Sequence, residues 1–594
     1  MQNPSIFHPA FVLVCLGILL SGLLAWRRGL RRGSQSFSLF LFFSLFWLAA
    51  FGGRPDWPVG LYLGADPLVA LVSNLAGRVL IPFTLISLAF VALAAVMGRL
   101  FCSHMCPMGA LIDFADLFFC KRQKAEANRG TFRSVRKAKY VILLSLVAGA
   151  LAGFHWLGWC DPIVLFTRFA AIVFYPFVVM LQDLGLDLVR PVADGLDWTG
   201  LSYLEVQVPV FAGVLTTLLL MLVLLLLGRL QPRFWCRHLC PLGGMLGWIG
   251  HVAPYRRRVS DACTACNLCV RQCPTGAIHK GGLAVDRHEC IVCLQCVRIC
   301  PENAVRFTFT AKQAEVDQAG PGLSRRGFIG GLGVGLVASA GLRADLLHPH
   351  AGHNPLALRS GGLIRPPGAL PEPDLMARCL RCGECMRACL TNVLQPDWHR
   401  AGLEGLWAPV MNLRHAHCEY ECNVCGQVCP TKAIRPLSLE EKQHAKVGTA
   451  IISKELCVAW AENRHCLMCD EACPYNAIFT ARDADHKVGL PVVDPMRCAG
   501  CGTCEDKCPV IGDAAIFVVP HGEIRLSEGS YVEEAEVLGF DFKSKTHLPD
   551  QIFDGPTKPA DKQPAVPAKQ PDLPPGIGPA DEDEDEDIPE LPEE

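Results

Sequence analysis

The chain has 594 residues, of which 51% are hydrophobic and 19% charged, and its formal net charge is −2. A chain of this length is too long to fold around one hydrophobic core, so several domains are expected. The high fraction of apolar residues favours a membrane protein. No basic stripe interleaved with aromatic residues suggests a nucleic-acid partner, and none is expected. The 31 cysteines decide the class, because their spacing is that of metal clusters rather than of disulfides.

Residues 1–258 are predicted to form a polytopic membrane domain, an all-α bundle of about five spans. The spans are the apolar runs at 8–26, 37–52, 79–97, 140–159 and 207–228. The basic connecting segments then lie in the cytoplasm, as the positive-inside bias requires. The run 163–182 contains Arg168 and Pro176. It is interpreted as interfacial or re-entrant, because a sixth crossing would place the basic segment 229–258 outside.

Two copies of a Cys-x-His-x-Cys-Pro-x-Gly motif follow the third and fifth spans, at 101–109 and 235–243. They suggest an internal repeat whose cysteines meet as a redox or thiolate-bound metal site beside a quinone pocket. The alternative is that they are structural thiols at helix ends. The candidate site cysteines are Cys102, Cys106, Cys236 and Cys240. His104 and His238 are candidate ligands, proton acceptors or interfacial polar residues. The isolated Cys15, Cys120 and Cys160 are expected to be inert.

A cytoplasmic two-cluster domain is predicted over 259–310. It contains two runs of the form Cys-x2-Cys-x2-Cys-x3-Cys-Pro, the spacing with which bacterial two-cluster ferredoxins hold [4Fe–4S] centres. Three thiolates on a tight loop bind three corners of a cubane, and the fourth cysteine points to the neighbouring cluster. One predicted set is Cys263, Cys266, Cys269 and Cys300. The other is Cys290, Cys293, Cys296 and Cys273. Zinc or spare thiols are the alternative.

An internal twin-arginine signal is predicted at 322–345. Ser324-Arg325-Arg326-Gly327-Phe328-Ile329 opens it, and a glycine-rich apolar stretch follows. Such signals are read by the twin-arginine translocase, which is therefore an expected partner. The segment would form a sixth crossing to the periplasmic side and is expected to remain as an anchor. Cleavage after the "ASA" at 338–340, or an amphipathic helix with accidental arginines, are the alternatives.

A four-cluster extracytoplasmic domain is predicted over 372–530, which brings the total to six [4Fe–4S] clusters. Two of its four quartets have a widened first gap, and the first lacks the final proline. Neighbouring quartets exchange their fourth cysteines, or the outer and inner pairs nest; the sequence leaves both open. The sixteen cysteines are Cys379, Cys382, Cys385, Cys389, Cys418, Cys422, Cys425, Cys429, Cys457, Cys466, Cys469, Cys473, Cys498, Cys501, Cys504 and Cys508. Residues 550–594 are rich in proline and acids and are expected to be disordered.

Through these motifs, the chain resembles two known families. Residues 1–310 resemble the NapH/MauN polytopic membrane ferredoxins, through the two Cys-x3-Cys-Pro motifs and the paired quartets. Residues 322–530 resemble the NapG/MauM twin-arginine-exported ferredoxins, through Arg325-Arg326 and four quartets. The chain looks like a fusion of the two. The resemblance implies membrane all-α and α+β ferredoxin-like domains, and a multi-pass protein of the bacterial inner membrane.

The function that the resemblance implies is that of a quinol dehydrogenase module. Quinol from the membrane quinone pool would be the substrate, and a periplasmic reductase or electron carrier would accept the electrons. The alternative is an assembly or regulatory polyferredoxin that supports maturation of a reductase. In a third hypothesis, oxidation of cytoplasmic ferredoxin or NADH drives electron transfer in the reverse direction. This hypothesis requires a partner subunit with a nucleotide site. Neighbouring genes would discriminate among these hypotheses.

Overall fold

The computed structural model describes residues 30–48, 60–119, 135–279, 281–310, 325–343, 363–398, 400–482 and 485–542. The predicted span 8–26, Cys15, Cys120 and the acidic tail lie outside these residues. The described chain consists of a helix bundle and two cysteine-rich domains. The first cysteine-rich domain comprises residues 255–310 and the second comprises residues 363–542.

Within the described ranges, the bundle contains nine helices of eight or more residues. They are α1 Leu30–Leu48, α2 Pro67–Gly77, α3 Ser87–Met97, α4 Pro107–Phe119, α5 Ala138–Leu151, α6 Pro162–Gly195, α7 Val214–Leu226, α8 Pro241–Gly250 and α9 Arg325–Arg343. Shorter helical turns connect them at Leu61–Gly64, Pro82–Ile86, Leu100–His104, Val135–Lys137, Leu157–Trp159, Thr199–Ser202, Leu227–Arg229 and Trp235–Leu239.

The run that the sequence predicts to be interfacial or re-entrant begins the longest helix, α6. Among the described residues α6 alone is long and apolar enough to cross a membrane; its most apolar window has a mean hydropathy of 2.1 and is 61% buried. Its backbone widens into a π turn at Ala170–Phe174, just before Pro176. Proline has no N–H to donate to the preceding turn, so this local widening lets the helix continue. Shorter apolar helices cover Pro67–Gly77, Pro82–Met97 and Val214–Arg229.

The two cysteine-rich domains contact opposite ends of the bundle. Helix α5 shows this arrangement: Lys139, in its first turn, binds Glu289 of the first domain. Beyond its other end, the carbonyl of His155 accepts a hydrogen bond from Arg381 of the second domain. At a rise of about 1.5 Å per residue, α5 separates the two contacts by about 20 Å. The bundle therefore stands between the two cysteine-rich domains.

Helix α9 carries the chain from one end of the bundle to the other. It lies parallel to α5, and Ser145 of α5 donates a hydrogen bond to the carbonyl of Gly331 over 2.8 Å. A side chain at Gly335 would come within 2.4 Å of the Ser145 carbonyl oxygen, so only glycine allows this approach. Small residues let helix backbones pack closely in this way. The glycine-rich stretch after the twin arginines therefore forms a helix–helix interface.

The first cysteine-rich domain is a short antiparallel ribbon with two cysteine loops. Strand β1 Tyr255–Val259 pairs with β2 Val305–Phe309. Between them, two helical turns follow the cysteine loops at Leu268–Gln272 and Gln295–Arg298. The loop before Cys290 docks on the bundle, where Arg99 donates to the carbonyl of His288 over 2.7 Å.

The second cysteine-rich domain is built from three two-stranded antiparallel sheets and short helices. Its strands pair as β3 Leu394–Pro396 with β4 Pro409–Met411, β5 Thr449–Ile452 with β8 Ile516–Val519, and β6 Ile478–Ala481 with β7 Leu490–Val493. Its helices are Glu372–Arg378, Glu384–Arg387, Val424–Gln427, Leu439–His444, Val458–Ala461, Met468–Ala472, Thr503–Asp506 and Tyr531–Val537.

Glu289 should hold the first cysteine-rich domain on the bundle. Its carboxylate lies 2.5 Å from Lys139 Nζ and 3.6 Å from an Arg99 nitrogen, and all three side chains are buried. Substitution E289Q leaves two buried cations without a counter-charge, which costs about 3–5 kcal/mol of folding free energy. Unfolding of the full chain by denaturant measures this loss. The exposed Glu302 of the same domain is the matched control, and an E289Q variant as stable as E302Q would contradict the assignment.

Candidate iron–sulfur sites

The cysteines of the first cysteine-rich domain meet in two sets of four. Site I is a cavity lined by Cys263, Cys266, Cys269 and Cys300. Site II is defined by Cys290, whose thiol interacts electrostatically with those of Cys293, Cys296 and Cys273. Each site takes three cysteines from one loop and the fourth from the other. The structure therefore brings together the sets that the spacing predicts.

The cysteines of the second domain meet in four sets, and neighbouring quartets exchange their fourth members. Site III is a cavity lined by Cys379, Cys382, Cys385 and Cys429. Site IV comprises Cys418, Cys422, Cys425 and Cys389, which interact electrostatically. Site V is a cavity lined by Cys498, Cys501, Cys504 and Cys473. Site VI is a cavity lined by Cys457, Cys466, Cys469 and Cys508. This arrangement decides between the two pairings that the sequence leaves open.

A shared backbone feature shapes the loops with regular spacing. The residues on either side of the second cysteine are left-handed: Ala265 and Asn267 around Cys266, for example, have φ of 52° and 59°. The same holds around three more second cysteines, at Val292 and Leu294, Arg381 and Gly383, and Gly500 and Gly502. Two left-handed residues turn the loop sharply, so that three thiols face one cavity. The loops with widened first gaps have negative φ at Asn423 and Leu467, and their extra residues replace that turn.

The sites offer soft sulfur ligands in apolar surroundings. Backbone N–H groups point at several sulfurs, as from Ala450 to Cys498 over 3.3 Å and from Ala515 to Cys508 over 3.4 Å. Burial raises the pKa of the Cys382 and Cys504 thiols well above the usual value, because an apolar cavity disfavours a bare thiolate. Four thiolates with N–H donors to sulfur are the environment in which proteins hold [4Fe–4S] clusters. The residues present therefore fit the predicted cofactor.

The four bundle cysteines, Cys102, Cys106, Cys236 and Cys240, also come together. The thiols interact electrostatically across the two motifs. Each motif ends in the same way, with its second cysteine accepting from a backbone N–H at the start of a helix. Gly109 N lies 3.4 Å from Cys106 Sγ, and Gly243 N lies 3.2 Å from Cys240 Sγ. The repeated motif is thus a repeated structure, with its two copies facing each other.

Two buried arginines accompany the bundle cysteines, and sequence reasoning missed both. Arg233 is fully buried, is paired with Asp113, and donates to the carbonyl of Cys102 over 3.3 Å. Arg99 is 1% exposed and interacts electrostatically with Cys102 and Cys240. Positive charge at this point favours a bound anionic group over neutral thiols. Throughout the described ranges, no group of three or more His, Cys, Asp or Glu side chains is arranged to hold a single metal ion.

The two motif histidines make local contacts. His104 Nδ1 lies 2.5 Å from Ser103 Oγ, and His238 Nε2 lies 3.1 Å from Gln231 Oε1. These contacts orient the imidazoles, through the adjacent residue for His104 and through Gln231, which precedes the helical turn Trp235–Leu239, for His238. Of the isolated cysteines, Cys160 is described; it precedes α6 and lies outside all the cysteine sets.

A second repeated pair, Asp66 and Asp161, was also missed. Each caps a helix, α2 or α6, and accepts two backbone N–H bonds, and Pro67 or Pro162 follows at the first helical position. Both carboxyl groups are fully buried and interact with each other. The signal in the sequence is an Asp-Pro dipeptide before each apolar run, which is typical of a capped helix start.

Comparison with known proteins identifies the class. A family described as "4Fe-4S binding domain" matches residues 80–126 and 212–260, so both bundle motifs fall within it. A "4Fe-4S dicluster domain" matches 464–511, and the family named NosR matches 261–314. The chain is therefore an iron–sulfur protein of the ferredoxin type that binds [4Fe–4S] clusters and transfers electrons, and the predicted ferredoxin domains are confirmed.

Individual relatives indicate to which family of ferredoxin-type proteins the chain belongs. The methylamine utilization ferredoxin-type protein MauM of Methylophilus methylotrophus is 34% identical over 188 residues, which are 30% of this chain and 79% of that protein. The ferredoxin-type protein NapG of Escherichia coli (strain K12) is 33% identical over 172 residues, 28% of this chain and 73% of that protein. NapF of the same organism is 28% identical over 159 residues, 27% of this chain and 87% of that protein. The chain belongs to the MauM/NapG family of ferredoxin-type proteins.

The exchange of fourth cysteines can be tested by iron content. Because Cys382 and Cys429 belong to one site, C382A/C429A should lose about four iron atoms, no more than C382A alone. Cys382 and Cys422 belong to different sites, so C382A/C422A should lose about eight. C160A is the matched control and should retain all its iron. A loss in C382A/C429A equal to that in C382A/C422A would contradict the pairing.

Proposed function

We propose that the chain is a membrane-bound iron–sulfur protein that oxidises quinol and passes the electrons to a redox enzyme on the opposite side. The observation that carries this proposal is the placement of thiol sites at both ends of one helix bundle, with a further thiol set inside it. Residues 1–310 then correspond to a NapH/MauN-type part, and the remainder to the MauM/NapG part. The quinone pool and an electron-accepting redox enzyme are the partners expected for such an electron-transfer protein.

The outer surface of the bundle supports a membrane location. Large apolar side chains on three helices point outward with high exposure: Leu188 of α6 is 81% exposed, Leu215 of α7 is 78% and Val337 of α9 is 74%. Further outward apolar residues are Leu88, Phe118, Leu184, Leu219 and Ile329. Apolar surface of this extent needs cover, and the hydrocarbon core of a bilayer provides it. The first cysteine-rich domain would then lie in the cytoplasm and the second in the periplasm.

Sites I to VI are proposed to hold six [4Fe–4S] clusters. When bound, each cluster supplies a one-electron carrier whose potential depends on burial and on hydrogen bonds to sulfur. The chain sets the order of these sites. Sites III and IV share exchanged cysteines, as do sites V and VI, and the N–H of Cys418 in site IV donates to the carbonyl of Cys501 in site V over 2.9 Å. Sites III, IV, V and VI are therefore neighbours in this order.

The bundle cysteines are proposed to link the first domain to the interior. Arg233 interacts electrostatically with Cys236 of the bundle set and with Cys293 of site II. At Gly98, an added side chain would lie 3.4 Å from Val292, beside the same site. One buried cation thus serves both thiol sets, and the bundle set is positioned next to site II.

Aromatic side chains fill the space between the bundle cysteines and the second domain. Tyr62 interacts electrostatically with Cys106, and its ring lies 5.4 Å from that of Phe42. Phe42 stacks on Phe46 with ring centroids 5.8 Å apart. The guanidinium of Arg387 lies 3.9 Å from the centre of the Phe46 ring. In the sequence, Arg387 stands between Cys385 of site III and Cys389 of site IV. This series of packed side chains, which excludes water, is the proposed electron path across the bundle.

Export of the second domain is proposed to use the twin-arginine signal, with α9 kept as an anchor. Its close packing along α5 supports retention, because cleavage would release a helix that is fitted to the bundle. The translocase carries folded proteins, so clusters are inserted before export.

Removal of the bundle cysteines tests the proposed path. In C102S and C236S, quinol-linked reduction of the second domain should be lost, while chemical reduction of its clusters persists, because only the link from the quinone side is broken. Cluster signals in electron paramagnetic resonance measure both. C160S is the control and should behave as wild type. Unchanged quinol-linked rates in C102S and C236S would remove these cysteines from the path.

A further inference from the structure

Arg168 is a fully buried cation that lacks a conventional partner. It lies in the first part of α6, its exposed fraction is 0%, and none of its three guanidinium nitrogens has a hydrogen-bond partner among the described residues. A buried charge without a counter-charge costs several kcal/mol, so such an arginine is not expected unless an anion lies close by.

The surroundings of Arg168 belong to site III. Its guanidinium lies 4.1 Å above the ring of Trp407, and Trp407 lines the site III cavity. It interacts electrostatically with the thiols of Cys382 and Cys160. Next to it, at Gly383, an added side chain would lie 3.1 Å from Ala171 of α6. The bundle therefore holds Arg168 against Trp407, which forms one wall of the site III cavity.

The nearby protein charges do not neutralise Arg168. Arg381, also fully buried, repels it and is hydrogen-bonded to the backbone carbonyls of Cys379, His155 and Glu404. The carboxylate of Glu384 is paired with Arg387 at 2.5 Å. The carboxylate of Glu404 interacts electrostatically with Arg381. Among the described residues, the charged groups that act on Arg168 are the Arg381 cation and the thiols of Cys382 and Cys160.

We propose that Arg168 is the charge partner that the bundle supplies to the iron–sulfur cluster of site III, and that it positions this cluster and sets its reduction potential. The inference rests on the proposed clusters. Four thiolates outweigh the positive charge of a [4Fe–4S] core, so the whole is an anion with sulfur acceptors for N–H donors. Reduction adds negative charge, which a neighbouring cation stabilises. Arg168 therefore raises the potential of the site III cluster and favours electron entry into the second domain there.

The test is an EPR-monitored redox titration of the full chain with iron analysis. In R168Q, the EPR signal of one cluster should titrate at a lower reduction potential than in wild type. In R168K the shift should be smaller, because lysine keeps the positive charge. Loss of about four iron atoms in R168Q but not in R168K would also support the proposal. R190Q is the matched control, since Arg190 lies on the same helix, is partly exposed and is paired with Asp187. It should titrate as wild type.

Two results would overturn the inference. One is an R168Q variant with full iron and unchanged potentials. The other is a C160A variant in which the same signal shifts to higher potential, because loss of a thiolate beside Arg168 would expose the arginine's charge to the cluster and would assign the missing anion to Cys160. Failure of the underlying clusters is distinguishable, because C379A would then lose no iron relative to wild type, whatever the behaviour of Arg168.

Discussion

Buried positive charge surrounds the cysteine sites at both ends of the helix bundle, and the rest of the structure depends on it. Arg99 and Arg233 accompany the bundle cysteines, Arg168 and Arg381 adjoin site III, and Lys446 donates to the carbonyl of Cys498 in site V over 2.7 Å. Burying a cation is unfavourable unless an anion shares the site. Glu289 is such an anion for Arg99 and Asp113 for Arg233, and for Arg168 the proposed anion is the thiolate-held cluster of site III.

This requirement also explains how the domains are held together. Lys139 and Arg99 of the bundle meet Glu289 one residue before Cys290, so docking of the first domain and formation of site II occur in one place. At the other end, Arg168 of the bundle contacts Trp407 beside site III, and Arg381 of the second domain donates to the carbonyl of His155. The interfaces are therefore built at the sites themselves, which keeps neighbouring sites close.

Much of the site chemistry could be predicted from sequence, because the spacing of cysteines on a tight loop is a local property. The quartets of the first domain and their exchange followed from the full Cys-x2-Cys-x2-Cys-x3-Cys-Pro spacing of its two runs. Pairing in the second domain needed the fold, since neighbouring and nested exchange use the same sixteen residues. Arg168 was visible only as a charge that interrupts an apolar run. Its significance depends on Trp407, which lies far along the chain and which no local pattern connects to it. The Asp-Pro dipeptides at 66 and 161 were present in the sequence, but only the tertiary structure brings the two carboxyl groups together.

The central claim is that the two cysteine-rich domains lie on opposite sides of a membrane. Protease treatment of intact spheroplasts, followed by detection of fragments from each domain, tests it most directly. The account predicts that residues 363–542 are digested while residues 255–310 are protected until the membrane is permeabilised. Protection of both domains, or digestion of both, would contradict it.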